Sequence, residues 1–358
     1  MRVAEFDFDL PHELIAQEPR ADRSAARLLV VRRDDRSLRH STIAALPEIL
    51  CAGDLIVVND TRVFAARLLG RRVPSGGAVE CLLVRRLSGG LPTEAQSASV
   101  AEWEALMHPG QKLAPGTRVA FDGVHPISCD VLERRFFGRR VIRLATDDGS
   151  PLDAAIDAIG HVPLPPYIKR DDRVEDRERY QTVFARTRGS VAAPTAGLHF
   201  TPGLVESLAA SGIEMASITL HVGYGTFQPV RAERVEDHRV EPERYVIADA
   251  AAASINRALD EGRRVIAVGT TTTRTLEAVA RDHGGRMSAV EGTTDLFIHP
   301  GFAFQIVGGL LTNFHLPRSS LLMLVAAFAG LDTVRTAYDA AIAARYRFYS
   351  YGDAMLIL

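Results

Sequence analysis

"DAAAASINRALDEGRRVIAVGTTTTRTLEAVARDHG", residues Asp249 to Gly284, decides the fold. Its first part is alanine-rich and closes on Gly262, which reads as a helix with its stop signal. "RVIAVGT" (264–270) is a short β-branched run of the kind a buried strand carries. From Thr273 the pattern "TRTLEAVARDHG" becomes helical again and ends on another glycine. Helix, strand, helix in 36 residues is the rhythm of an α/β layer, in which each helix covers the sheet its neighbour strand enters.

The same rhythm extends outward. "TPGLVESLAASGIE" (201–214) places Thr201 as N-cap, Pro202 at the first helical position and Gly212 as the stop, and "MASITLHV" (215–222) follows as a strand. Near the start, "ARLLVVRRDDRSLRH" (26–40) alternates about a turn and predicts a hairpin. "LPEILCAGDLIVVNDTRV" (46–63) predicts a short helix and the buried strand "DLIVVND". Between Val63 and Ser150 the texture changes to short alternating runs, "AVECLLVRRL", "EWEALM", "TRVAFDG" and "ISCDVLERRFFGRRVIRLA". The turns "PSGG", "SGGLP", "HPGQKLAPG" and "FDG" separate them, which is the chemistry of a small β-barrel or sandwich. The predicted architecture is a mixed-sheet α/β core built from residues 1–62 and 151–358, interrupted by an inserted β-barrel domain over 63–150.

Bulk properties narrow the class. Hydrophobic residues at 47% and charged residues at 24% are those of a soluble globular protein, and a net charge of −2 carries no global nucleic-acid signature. A locally basic face remains open, with "RVFAARLLGRR", "LERRFFGRRVIR" and "YIKRDDRVEDRERYQ" as candidates. Cys51, Cys81 and Cys129 are far apart, so neither a disulfide framework nor a cysteine zinc site is expected, and a reducing cytosol fits. "MRVAEFDFDLP" has no apolar signal segment, and "LLMLVAAFAGL" from Leu321 is too short to span a bilayer. The expected location is the cytoplasm.

Chemistry concentrates at the ends of the predicted strands. His221 runs into a turn whose Gly223 and Gly225 permit close backbone approach; it reads as a base or orienter, or as a strand-end histidine bound to a loop carbonyl. His199 in "PTAGLHF" allows the same two readings. His315 in "TNFHLP", after Asn313, precedes an apolar helix whose N-terminus could dock an anion or be capped by Ser319 or Ser320. "VIAVGTTTTRTLE" is neither a P-loop nor G-x-G-x-x-G; Thr271 and Thr272 could cradle an anion or ribose edge, or belong to a helix start with no ligand. Asp60 and Arg62 end a buried strand, where ligands gather, or form a structural pair. Asp353 and Tyr351 flank Gly352 in "YSYGDAM", ahead of an apolar tail. No spacing suggests a metal site.

Taken together, "PTAGLHF", "HVGYGTF", "NFHLP" and "FYSYGDAM", in that order, closely resemble the S-adenosylmethionine:tRNA ribosyltransferase-isomerases of queuosine synthesis, and the likeness spans the chain. It implies transfer and isomerisation of the ribosyl group of S-adenosyl-L-methionine, consumed as co-substrate, onto 7-aminomethyl-7-deazaguanine at the wobble position of tRNA with a GUN anticodon. Epoxyqueuosine-tRNA, adenine and methionine would result, without a metal, a membrane or a protein partner. Under this likeness His221, His199, Asp353, His315 and Asp60 are the candidate catalytic residues. Gly223, Tyr224, Gly225, Thr226, Phe227, Thr271, Thr272, Arg62, Asn313 and Tyr351 are the candidates for holding S-adenosylmethionine, with Tyr224 and Phe227 as flat walls and Asp353 countering the sulfonium. Tyr224 and the Thr272–Thr273 pair depart from the residues expected in the family, which bears on substrate fit. The alternatives are a paralogue acting on a free nucleoside or small amine, a non-catalytic RNA-binding module, and a methyltransferase, whose glycine-rich turn is absent.

Overall fold

In the computed structural model, residues 1–88, 98–227 and 229–358 are described, with only the backbone for Phe137, Thr226 and Phe227. Most of the expected "SGGLP" turn therefore lies outside the described residues. The chain divides into two compact units. One comprises Met1–Arg62, Pro165–Arg170 and Arg179–Leu358; the other comprises Val63–Leu164 and Asp171–Glu178.

The strands run in chain order as β1 (Arg27–Val31), β2 (Leu38–Thr42), β3 (Leu55–Asn59), β4 (Thr61–Val63), β5 (Arg67–Val73), β6 (Ala78–Arg86), β7 (Val100–His108), β8 (Arg118–Phe121) and β9 (Ile127–Arg134). They continue as β10 (Arg139–Thr146), β11 (Thr187–Ser190), β12 (Glu214–Leu220), β13 (Glu243–Ile247), β14 (Val265–Val268), β15 (Val290–Thr294), β16 (Gly309–Asn313) and β17 (Ala354–Ile357). The first unit holds a nine-stranded sheet in the order β15-β13-β12-β3-β14-β16-β17-β1-β2. Strands β12, β3, β14 and β16 are mutually parallel, while β17 runs antiparallel to β16 and parallel to β1. The sheet is therefore mixed.

The central strands carry apolar residues on both faces because both are covered. Leu55, Val57, Val265 and Ala267 join one hydrophobic cluster, while Ile56, Val58, Ile266 and Val268 join the other, as the two-residue period of a strand requires. Helices Asp249–Asp260, Thr270–Asp282, Ser320–Ala329 and Leu331–Ala343 supply the first face; Pro202–Ala210, with Leu204 and Leu208, supplies the second. The Thr201 hydroxyl accepts from Leu204 N–H at 3.2 Å, the expected N-cap, worth about 1 kcal/mol. Between β14 and the helix Thr270–Asp282 the chain turns through Gly269 at φ +92°, a conformation that a side chain would strain. No single helix among the described residues is long and apolar enough to cross a membrane.

The second unit contains a closed six-stranded antiparallel barrel, β10-β7-β6-β5-β8-β9. Alternate residues fill it, as Val79, Cys81 and Leu83 do along β6. Two details differ from the sequence reading. "LERRFFGRRVIR", expected as one strand, is broken by a turn at Phe136–Gly138 into β9 and β10, since Gly138 adopts φ +80°. The helix Leu152–Ile159, expected in the core, belongs to the barrel unit, tied by an ion pair from Arg86 to Asp153 at 3.2 Å.

Candidate functional site

Because β3, β12, β14 and β16 run parallel, their carboxyl ends at Asn59, Leu220, Val268 and Asn313 share one edge of the sheet. Strand β17 starts at the same edge, with Ala354 opposite Asn313. Ligands of open α/β sheets gather outside such an edge. Here it carries a cleft of about 490 Å³, counting the solvent at its mouth, whose walls include Tyr167, Pro194, Thr271, Asn313, His315 and Tyr349.

Asn313 is the polar centre of the cleft. It is fully buried; its amide donates to the Tyr349 carbonyl at 3.0 Å and approaches His199 Nε2 at 3.3 Å. The Tyr349 carbonyl can only accept, so the amide nitrogen is fixed on that side. The opposite atom, Asn313 Oδ1, is buried with no hydrogen-bond partner in the protein. An orphaned buried acceptor costs about 1–3 kcal/mol, and a ligand donor would relieve it. Tyr349 is held at φ +71°, a conformation bulky residues rarely adopt; its N–H bonds Phe314 and its carbonyl takes bonds from Asn313 and Gly352. His315 Nε2 lies 2.7 Å from the Thr312 hydroxyl, and its main-chain N–H donates to the Tyr338 hydroxyl at 2.9 Å.

Burial keeps the imidazoles neutral. It pushes His199 down to about 4, against the opposing pull of Asp353, and His315 down to about 3. His221 is also pushed down to about 4, by burial and then by the Arg244 guanidinium. In each case the unfolded chain binds a proton more readily than the folded one. The stability contributed is present above the ordinary histidine value of 6.5 and is lost as pH falls toward 4. Each unit of depression is worth about 1.4 kcal/mol, so several kcal/mol should disappear across that window. Melting temperatures at pH 7 and pH 4.5 measure it. With asparagine at 199 and glutamine at 315 the fall should be clearly shallower, and an unchanged fall would contradict these assignments.

Among the other predicted residues Thr271 lines the cleft, and the rest are set back from its lining. His221 sits one residue from the cleft-lining Val222, with Nδ1 at 2.9 Å from the Thr61 hydroxyl and its ring packed on Gly189, where a Cβ would come within 2.6 Å. Gly223 donates its N–H to Glu243, which pairs with Arg274 at 2.6 Å. Gly223, Tyr224 and Gly225 are half-buried and do not line the cleft, and the side chains of Thr226 and Phe227 lie outside the described residues. Thr271 does line it, but the Thr272 hydroxyl is spent on the Val268 carbonyl at the end of β14, at 2.8 Å. Asp60 is half-buried and accepts from Thr219 at 2.6 Å; burial raises its carboxyl above the usual range. Arg62 is exposed, and among the described residues it forms no ion pair with Asp60. Tyr351 is buried edge-on against Tyr180 at 5.9 Å.

Asp353 is the clearest departure from expectation. It is fully buried and answers Arg20 and Arg27 rather than the cleft. Tyr167, Tyr349 and Ser350 went unpredicted: Tyr167 bonds Ser350 at 2.5 Å and its ring stands 4.6 Å from that of Tyr349. The crowding of aromatics in "YRFYSYG" was the available signal for two of them. Among the described residues, no three His, Cys, Asp or Glu side chains are grouped to hold a metal ion.

A neutral, amide-centred cleft with aromatic walls at the carboxyl edge of parallel strands is the setting in which α/β proteins take small polar ligands. The comparisons sharpen this. The family model described as "Queuosine biosynthesis protein" matches residues 3–357, and the chain belongs to that family. It is 50% identical to the S-adenosylmethionine:tRNA ribosyltransferase-isomerase of Solibacter usitatus and 47% identical to that of Desulfitobacterium hafniense, covering 100% of both chains in each case. The crystal structure of the S-adenosylmethionine tRNA ribosyltransferase of Thermotoga maritima is 38% identical, with a TM-score of 0.54 over 99% of this chain and 100% of that one.

Proposed function

We propose that this protein is an S-adenosylmethionine:tRNA ribosyltransferase-isomerase of queuosine synthesis. The observation that carries this reading is the 50% identity over full length, with no part of either chain left over. S-adenosylmethionine is the co-substrate. Its adenosine lies against Tyr167 and Tyr349, Asn313 Oδ1 accepts from one of its N–H groups, and Thr271 at a helix N-terminus meets a carboxylate or ribose edge. A proton leaves C5′ beside the sulfonium, adenine departs, and the aminomethyl group of the wobble 7-deazaguanine attacks. Closure to the epoxide then expels methionine. The substrate is tRNA with a GUN anticodon, met in the cytoplasm. The barrel unit is a folding domain of its own that grips RNA. The attack needs a primary amine, so tRNA carrying the aminomethyl base should accept the ribosyl group while tRNA with plain guanine at that position accepts none. Equal transfer to both, measured by mass spectrometry of nuclease digests, would refute the reading.

A further inference from the structure

We propose that His199, His221 and His315 serve as fixed neutral hydrogen-bond donors, and that none of them accepts the C5′ proton. The use in catalysis rests on the function proposed above; the proton positions rest on geometry alone.

Each imidazole has one nitrogen committed to a partner whose own needs fix the direction of the bond. Ser190, fully buried, accepts Val222 N–H at 2.8 Å, and its only other side-chain partner among the described residues is the Thr61 hydroxyl, also at 2.8 Å. A buried hydroxyl proton left without an acceptor costs about 1–3 kcal/mol, so Ser190 must donate to Thr61. Thr61 in turn donates to His221 Nδ1 at 2.9 Å, with the Thr187 carbonyl a distant rival at 3.4 Å. Nδ1 is thereby an acceptor, and the proton of His221 resides on Nε2. Reversing the last bond would leave the Thr61 hydroxyl only the Thr187 carbonyl at 3.4 Å, a longer and weaker acceptor.

The same reasoning applies to His315. Thr312 is buried and among the described residues its hydroxyl meets only His315 Nε2, so it donates there and the ring proton sits on Nδ1. For His199 the Asn313 amide, oriented by the Tyr349 carbonyl, donates to Nε2 and again leaves the proton on Nδ1. At neutral pH all three rings are uncharged, with one N–H each to offer. Ser190, Thr61 and Thr312 are positioning residues that hold them so. Departing adenine gains electron density on its ring nitrogens, and a neutral N–H donor stabilises that charge. The C5′ proton must pass to another group; among the described residues the Asp60 carboxylate takes a side-chain hydrogen bond on Oδ1, from Thr219, and none on Oδ2.

The test uses the full chain labelled with ¹⁵N-histidine, each ring assigned by single replacement. The expected spectrum shows an unprotonated Nδ1 for His221 and an unprotonated Nε2 for His199 and His315. An unprotonated Nε2 at His221, or Nδ1 at either of the others, would overturn the proposal. Turnover gives a second, crossed readout. A glutamine amide can stand in for an Nε2 donor and an asparagine amide for an Nδ1 donor. His221→Gln should therefore outperform His221→Asn by about tenfold or more, while His315→Asn should outperform His315→Gln. Equal losses within each pair would contradict the donor role. Should the unaltered protein release no adenine with the modified tRNA, the proposed function fails, and the spectrum still decides the proton positions.

Discussion

Asp353→Ala is expected to lower stability by about 3 kcal/mol, one of the two largest effects anticipated for this protein. The Asp353 Oδ1 atom accepts from Arg20 at 3.2 Å and from Arg27 N–H at 3.0 Å; Oδ2 accepts from the Arg27 guanidinium at 3.3 Å and from Arg347 N–H at 2.8 Å. Removing the carboxylate leaves two main-chain donors and two guanidinium groups without their acceptor. Both arginine side chains are about one-third exposed, so water recovers part of the loss, and the lower end of the range for broken buried pairs applies. The denaturant midpoint should fall at unchanged slope. A variant as stable as the parent but devoid of turnover would return Asp353 to the chemistry.

Asn313→Ala should lower kcat/KM by about 10²–10³-fold while the chain stays folded. The side chain orients His199, steadies the strained Tyr349 carbonyl and leaves Oδ1 as an orphan acceptor in the cleft. Asn313→Asp is the sharper variant. It keeps shape and acceptor but sets a carboxylate oxygen against the Tyr349 carbonyl and His199 Nε2, where a donor is required. Turnover should fall at least as far as for alanine. Steady-state kinetics with S-adenosylmethionine as the varied substrate reads both, and parental values in either variant would remove Asn313 from the site.

The layers of the fold were legible because local signals agree with the global answer. Thr201 caps its helix, Gly269 turns strand into helix, and every second residue of β3 faces the same cluster. The barrel announced itself through its turns, though not through the end of its unit, since the helix Leu152–Ile159 carries an ordinary amphipathic pattern that fits either unit. The cleft was only half legible. Asn313, His315 and Thr271 follow from the rule that strand ends hold ligands. The contact between Asn313 and Tyr349, or the burial of Asp353 under Arg20 and Arg27, depends on the pairing of β16 with β17 and of β17 with β1. Strand β1 comes from the opposite end of the chain and β16 lies some forty residues before β17, so no local pattern states their register. Thr272 shows the same limit: one position along the helix from Thr271, it turns its hydroxyl inward.

The central claim is that ribose, not methyl, moves to the RNA, and the fate of two labels tests it most directly. Incubation with S-adenosylmethionine labelled in the ribose or in the methyl group, together with tRNA bearing the aminomethyl deazaguanine, should put the ribose label on the RNA. The methyl label should leave in free methionine, with free adenine released in equal amount. Methyl label on the RNA, with S-adenosylhomocysteine as the main product, would contradict the account.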